Sequence, residues 1–232
     1  MLKDKISAVV FSVAVFFLII TLSIALPIYI RPFYYLHINA LDLVEESGFS
    51  YDEIKEAYDE VLDYLTIPGR EFGVGVMKYS QSGASHFVDC KVLFDINAAV
   101  LILSGIVILI ISVLRRLGKI KEYRLFNRTP AFWGATALLL LTVALTAVSC
   151  IDFYTAFMVF HKIFFYGKEN WYFDPRYDEI INVLPEQFFM NAAILIVCGI
   201  IVFSLAIIIS EFAIARKLEK IKKTSKKFKK RY

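Results

Sequence analysis

SAVVFSVAVFFLIITLSIALPIYI, residues 7–30, is the stretch whose reading decides the fold, because 24 residues pass without one charged side chain. In lipid every backbone N–H and C=O must be paired within its own segment, and about 20 apolar residues make a helix that crosses a hydrocarbon core of ~30 Å. Residues 97–114, NAAVLILSGIVILIISVL, read the same way, as do 130–151 and 188–210. The hydrophobic fraction of 58% exceeds the roughly 45–50% of soluble domains, and these four runs are where it is concentrated. The chain is therefore expected to be an all-α polytopic membrane protein, a single membrane domain with four transmembrane helices. The first run follows Lys3 and Lys5 like a secretory signal, but it is longer than the 7–15 residues of a usual signal core. It reads as a retained helix.

Charge sets the expected orientation. Residues 1–6 carry two Lys/Arg, residues 115–128 carry six and the tail after Ser210 carries ten, together 18 of 26. The 31–96 segment has five basic against twelve acidic residues, and 152–187 has three against six. Basic loops stay in the cytoplasm, so 1–6, 115–129 and 211–232 are expected there, with 31–96 and 152–187 extracytoplasmic. The basic tail is read as anchoring beside anionic headgroups rather than as a nucleic-acid site.

The first outer segment has structure of its own. Ser50 and Glu53 form a capping box, Phe49 and Ile54 a staple, and Ile54, Tyr58, Val61, Leu62 and Leu65 recur on one helical face. Pro68-Gly69 ends that helix. Phe72, Val74 and Val76 alternate with Gly73 and Gly75, which suggests a possible short strand. The apolar run from Pro130 to Phe165 is too long for one span, and Asp152 is where it is expected to reach the interface. Phe153–Phe165 then becomes an interfacial or re-entrant segment, with His161 at headgroup level and Trp171, Tyr172 and Phe173 in the aromatic belt.

All three histidines, His37, His86 and His161, fall on the outer side. Imidazole is the usual acid/base near neutral pH. Asp89, one turn after His86, is placed to accept from its ring and fix a tautomer. Ser85 is a poor nucleophile candidate, since no G-x-S-x-G elbow is present, and Cys90, near His86, reads as a small buried apolar residue rather than a thiol nucleophile. Glu45-Glu46 reads as a solvated face. Arg31 at the end of the first span either grips a lipid phosphate or snorkels. Cys90, Cys150 and Cys198 make no disulfide framework. No spacing of the HExxH or CxxC kind appears, so no metal and no cofactor is expected.

Several stretches carry a resemblance. They are His86-Phe87-Val88-Asp89, then FMVFHKIFF over 157–165, Trp171-Tyr172-Phe173-Asp174-Pro175, Asp178-Glu179-Ile180-Ile181 and Leu184-Pro185-Glu186-Gln187-Phe188-Phe189. Together they resemble the bacterial lipoprotein intramolecular transacylase family across nearly the whole chain. The resemblance implies transfer of the sn-2 acyl chain of an S-diacylglyceryl cysteine to the α-amine of that cysteine, giving a lyso-form lipoprotein. It implies that His86 and His161 are the catalytic pair, and the reading of the residues themselves adds Asp89, Asp152 and Arg31 as supporting. It implies a diacylated lipoprotein N-terminus as substrate, membrane lipid as neighbour, and a bacterial cell membrane. The family commonly has acidic residues just before the first histidine, where this chain reads Ser80-Gln81-Ser82-Gly83-Ala84-Ser85. A non-enzymatic membrane accessory or sensor protein and a phospholipid esterase or acyltransferase are the competing expectations.

Overall fold

A computed structural model describes residues 1–149 and 151–229. Cys150, Lys230, Arg231 and Tyr232 lie outside the described residues. The described chain is helical, in the order α1 (Leu2–Tyr29), α2 (Pro32–Ala40), α3 (Leu43–Ser47), α4 (Tyr51–Thr66), α5 (Gln81–Arg116), α6 (Pro130–Ser149), α7 (Phe153–Phe164), a 3₁₀ turn over Glu179–Asn182, and α8 (Glu186–Lys229). α1, α5, α6 and α8 are long and apolar enough to cross a membrane. On α5 the side chains of Ile102, Leu103, Ile106 and Leu109 face outward. Lipid tails are as apolar as these side chains, so such a surface is at rest in a bilayer.

The backbone divides into two compact units. One comprises Met1–Ile20, Leu101–Val143 and Cys198–Tyr232. Within it α1 and α6 approach closely at Gly134, where an added Cβ would meet the Ser12 carbonyl carbon at 3.1 Å and Val15 Cβ at 3.2 Å. Ser12 Oγ donates to the Pro130 carbonyl at 2.7 Å beside that crossing. Small residues let helix backbones approach in this way. Gly134→Ala is therefore expected to destabilise by about 1–3 kcal/mol through overpacking, measured as a lower thermal midpoint in detergent. An unchanged midpoint would show that the crossing yields freely. Just before the start of α6, Thr129 Oγ1 donates to Glu211 Oε2 at 2.8 Å, which satisfies a carboxylate buried on α8.

The other unit, Thr21–Val100 with Ala144–Val197, holds a small core of its own. Tyr34 and Ile38 of α2, Ile54, Tyr58, Val61, Leu62 and Leu65 of α4, Phe87 of α5, Ile180 and Val183, and Phe188 of α8 pack together. α4 forms as its pattern requires. Ser50 accepts from the Glu53 N–H, Glu53 returns to the Ser50 N–H, and all five expected face residues are buried. Tyr34 stacks on Tyr58 with centroids 3.7 Å apart and donates to the Val183 carbonyl at 2.7 Å. This ties α2 to the approach to α8.

Two expectations need correction. The 72–77 stretch is not a strand, and no strand forms among the described residues. The chain turns here instead, with Gly75 at φ +60° donating its N–H to Glu60 Oε2 at 2.6 Å and the Met77 N–H donating to the Val74 carbonyl at 3.1 Å. Arg31 does not reach for lipid. Its guanidinium is bound by Asp59 at 2.8 Å and by Asp63, pinning the end of α1 to α4.

Candidate active site

Two elements bring the site histidines together. α5 has 36 residues, about 54 Å at 1.5 Å per residue, so it extends well beyond a ~30 Å hydrocarbon core. His86 stands on this extension, ahead of the uncharged run that begins at Asn97. α7 starts as a separate helix because Asp152 caps it, accepting from the Thr155 N–H at 3.0 Å and the Thr155 hydroxyl at 2.6 Å. Asp152 thus acts on the helix end and not on the histidines. α7 turns His161 inward while Tyr154, Val159, Phe160, Ile163 and Phe164 stay exposed. The His86 and His161 ring centroids are 6.0 Å apart with 29° between planes, and both residues are under a tenth exposed.

The walls are aromatic. His86 meets Phe165 at 4.7 Å and Phe173 at 5.4 Å, and His161 meets Phe157 at 4.3 Å and Trp171 at 5.0 Å, all centroid distances. His161 Nδ1 lies 2.8 Å from the Phe157 carbonyl. A carbonyl only accepts, so Nδ1 carries the proton and Nε2 holds the free lone pair. His86 Nε2 lies 3.3 Å from Cys90 Sγ, one turn along α5. His86 Nδ1 is buried with no hydrogen-bond partner among the described residues.

Asp89 does not orient His86. On α5 the i+3 position diverges from the ring, and i+4, Cys90, is the one that reaches it. Asp89 instead binds Lys168 and the Asn170 amide, the latter at 2.9 Å. It thereby fastens the segment after α7 onto α5, and Trp171 Nε1 donates to the Lys168 carbonyl at 2.9 Å within that segment. A second fastening lies nearer the start of α5. The buried Asp178 accepts from the Ser80 N–H at 2.8 Å and the Ser80 hydroxyl at 3.0 Å, and Glu179 exchanges backbone and side-chain bonds with Lys78. The carboxylate beside the first turn of α5 thus comes from a distant loop. His37 stands apart, with Nδ1 on the Phe33 carbonyl and Nε2 on the Asn191 amide.

Burial pushes both imidazoles below their ordinary pKa, and the neighbouring His161 pushes His86 further the same way. Burial pushes the Cys90 thiol up, so it stays protonated. Both histidines are consequently neutral near pH 7. The unfolded chain binds protons below about 6.5 that the folded site resists, so stability is complete above that pH and declines as pH falls below it. Thermal unfolding between pH 7.5 and 5 is expected to show a smaller acid loss in the His86→Ala/His161→Ala double variant than in the wild type. Equal losses would show that the pair does not resist protonation.

Sequence reasoning did not reach Phe165, Trp171, Phe173 or Asn170 as site residues. Their aromatic run has the composition of an interfacial belt, and only the return of the chain onto α5 distinguishes the two.

The family model described as lipoprotein intramolecular transacylase Lit matches residues 9–189. No curated protein sequence matches the chain. A solved structure of the membrane-integral lipoprotein intramolecular transacylase Lit from Bacillus cereus is similar at TM-score 0.81 and 27% identity, covering 96% of this chain and 98% of that one. Structures of two variants of the same protein, one histidine replaced by arginine or by alanine, are similar at TM-score 0.76 and 27% identity, covering 96% of this chain and 95% and 96% of theirs. The chain belongs to the lipoprotein intramolecular transacylase family.

Proposed function

We propose that this protein moves the sn-2 acyl chain of a bacterial lipoprotein's S-diacylglyceryl cysteine onto the α-amine of the same cysteine, with His86 and His161 as the catalytic pair. The observation that carries the assignment is a buried pair of neutral imidazoles, one with its tautomer set, inside an aromatic enclosure. Such a pair suits acid/base chemistry on a reaction whose nucleophile comes with the substrate. The amine and the ester are held in one molecule, so proximity needs no covalent enzyme intermediate. The protonated Cys90 thiol fits that economy, because only a thiolate attacks efficiently.

In this reading the substrate's neutral amine attacks the ester carbonyl. His161 Nε2 takes a proton from the amine nitrogen as the C–N bond forms, then returns it to the glycerol oxygen as the C–O bond breaks. The products are an amide and a free sn-2 hydroxyl, and the enzyme ends in the protonation state in which it began. The Cys90 thiol donates to His86 Nε2, which leaves His86 Nδ1–H to stabilise the carbonyl oxygen as negative charge develops there. Arg31 and Asp152 serve at one remove, through the α1–α4 contact and the start of α7. The Lys/Arg distribution supports both termini in the cytoplasm and the site at the extracytoplasmic face of the cell membrane.

The test is mass spectrometry of a lipoprotein's N-terminal peptide from cells without N-acylation activity of their own. With the protein present, one acyl chain is expected to shift from glycerol to nitrogen at constant mass. An unchanged diacylglyceryl peptide beside well-expressed, folded protein would overturn the assignment.

A further inference from the structure

Asn170 is held in one orientation. Its Nδ2 donates to Asp89 Oδ2 at 2.9 Å and to Ser85 Oγ at 3.0 Å. A carboxylate only accepts, so the amide nitrogen must face α5 and the amide cannot flip. The other end of the same group, Oδ1, is buried and has no hydrogen-bond partner among the described residues. A buried acceptor without a donor is destabilising, and in a functional site the missing donor can come from a ligand.

The position of this oxygen narrows the ligand. Ser85, to which Asn170 is bound, directly precedes His86. Trp171, which directly follows Asn170, stacks on His161. The amide is thus bracketed by chain neighbours of both histidines. Asp89 and Lys168, which fasten the same segment, lie close enough to His86 to bias its charge. Around the reacting centre of a diacylglyceryl cysteine, the ester and thioether offer no donor at all. The α-amine does. A neutral primary amine carries two N–H groups, of which the base removes one after attack, leaving one to bond to a fixed acceptor.

We propose that Asn170 is a substrate-binding residue whose Oδ1 accepts a hydrogen bond from the α-amine of the lipidated cysteine and aims its lone pair at the ester. This rests on the transacylase reading and adds to it the group that selects a primary amine. Asp89 and Ser85 are positioning residues for Asn170. Fixed in this way, the amide favours a free, unsubstituted N-terminal cysteine over one already alkylated.

The experiment compares a synthetic diacylglyceryl-cysteinyl lipopeptide with its N-methyl analogue, which keeps its nucleophilicity but surrenders its only N–H to the base. Both are assayed as kcat/KM with the wild type, Asn170→Ala and Asn170→Leu in detergent micelles. The wild type is expected to prefer the primary amine, and both variants are expected to lower kcat/KM for it by about tenfold more than for the N-methyl substrate, any loss from the weakened fastening being common to the two substrates. The preference then shrinks by about tenfold. Alanine opens space and leucine fills it, so the same shrinkage in both excludes relief of a methyl clash. Leucine also keeps the test available if the smaller side chain impairs folding. A preference that persists in the variants would overturn the proposal and leave Asn170 a scaffold residue. Failure of the wild type to act on either lipopeptide would overturn the transacylase reading itself.

Discussion

Turnover is expected to fall by about 10²–10⁴-fold in His161→Ala, the range that a positioned general acid/base contributes. His161 has three properties that a base requires together. Its Nδ1–H is taken by the Phe157 carbonyl, its Nε2 is left with a lone pair, and burial keeps it unprotonated at neutral pH. Neither of the other two histidines repeats the set. His37 has both ring nitrogens engaged, and His86 has Cys90 at one of its nitrogens. The loss is expected in kcat with KM nearly unchanged, since proton transfer matters in the transition state and not in the bound ground state. His86→Ala is expected to cost less, nearer the 10²–10³-fold of a lost oxyanion donor. Single-turnover assays with a lipopeptide substrate, on protein whose thermal unfolding matches the wild type, make the measurement. Wild-type turnover in His161→Ala would remove it from the mechanism.

Gly83→Val is expected to abolish most activity without touching either histidine. Gly83 lies in the first turn of α5, one turn before His86. A Cβ there would fall inside contact distance of Asp178 Oδ1, 2.9 Å from its Cγ and 3.0 Å from Phe173 Cε1. Asp178 cannot retreat freely, because it is buried and accepts both the Ser80 N–H and hydroxyl. Phe173 is part of the wall on His86. The substitution therefore pushes on the fastening and on the enclosure at once. Overpacking alone corresponds to about 1–3 kcal/mol, and a displacement near 1 Å at the chemistry is worth about 10²-fold in rate. Gly105 is the control on the same helix, since a Cβ there meets nothing within 4 Å. Gly105→Ala is expected to leave activity intact and to gain up to about 1 kcal/mol of helix stability. Matching effects at the two glycines would show that the α5–Asp178 contact does not organise the site.

How legible this protein is in its sequence differs from element to element. The four long apolar helices are written in the chain, because a bilayer admits only segments that pair their own backbone and the pattern that does so is continuous and local. The α4 cap and its buried face are legible for the same reason, since Ser50, Glu53 and Ile54 to Leu65 lie within a few turns of one another. The break at Asp152 is legible as a matter of length and charge. His86 and His161 could be named from their place in familiar stretches, yet they lie 75 positions apart, and nothing local states that their rings meet.

What surrounds them was beyond local reading. Asp89 looked like a partner for His86 because i+3 neighbours share a helix surface, but a side chain goes to the strongest partner that the fold presents, and Lys168 and Asn170 arrive from across the chain. Trp171 and Phe173 looked like a membrane belt because aromatic composition is the same in a belt and in an active-site wall. Asn170 offered no signal at all. The sequence by itself determined which segments are helices, which of them suit lipid, and which residue types can do acid/base chemistry, since these follow from local pattern and from the solvent. Only the tertiary structure decided which nitrogen of His86 and of His161 is free, which carboxylate holds which loop, and which buried acceptor is left for a substrate. Those depend on pairing between distant segments, and hydrogen-bond geometry has no expression in sequence until the chain has closed on itself.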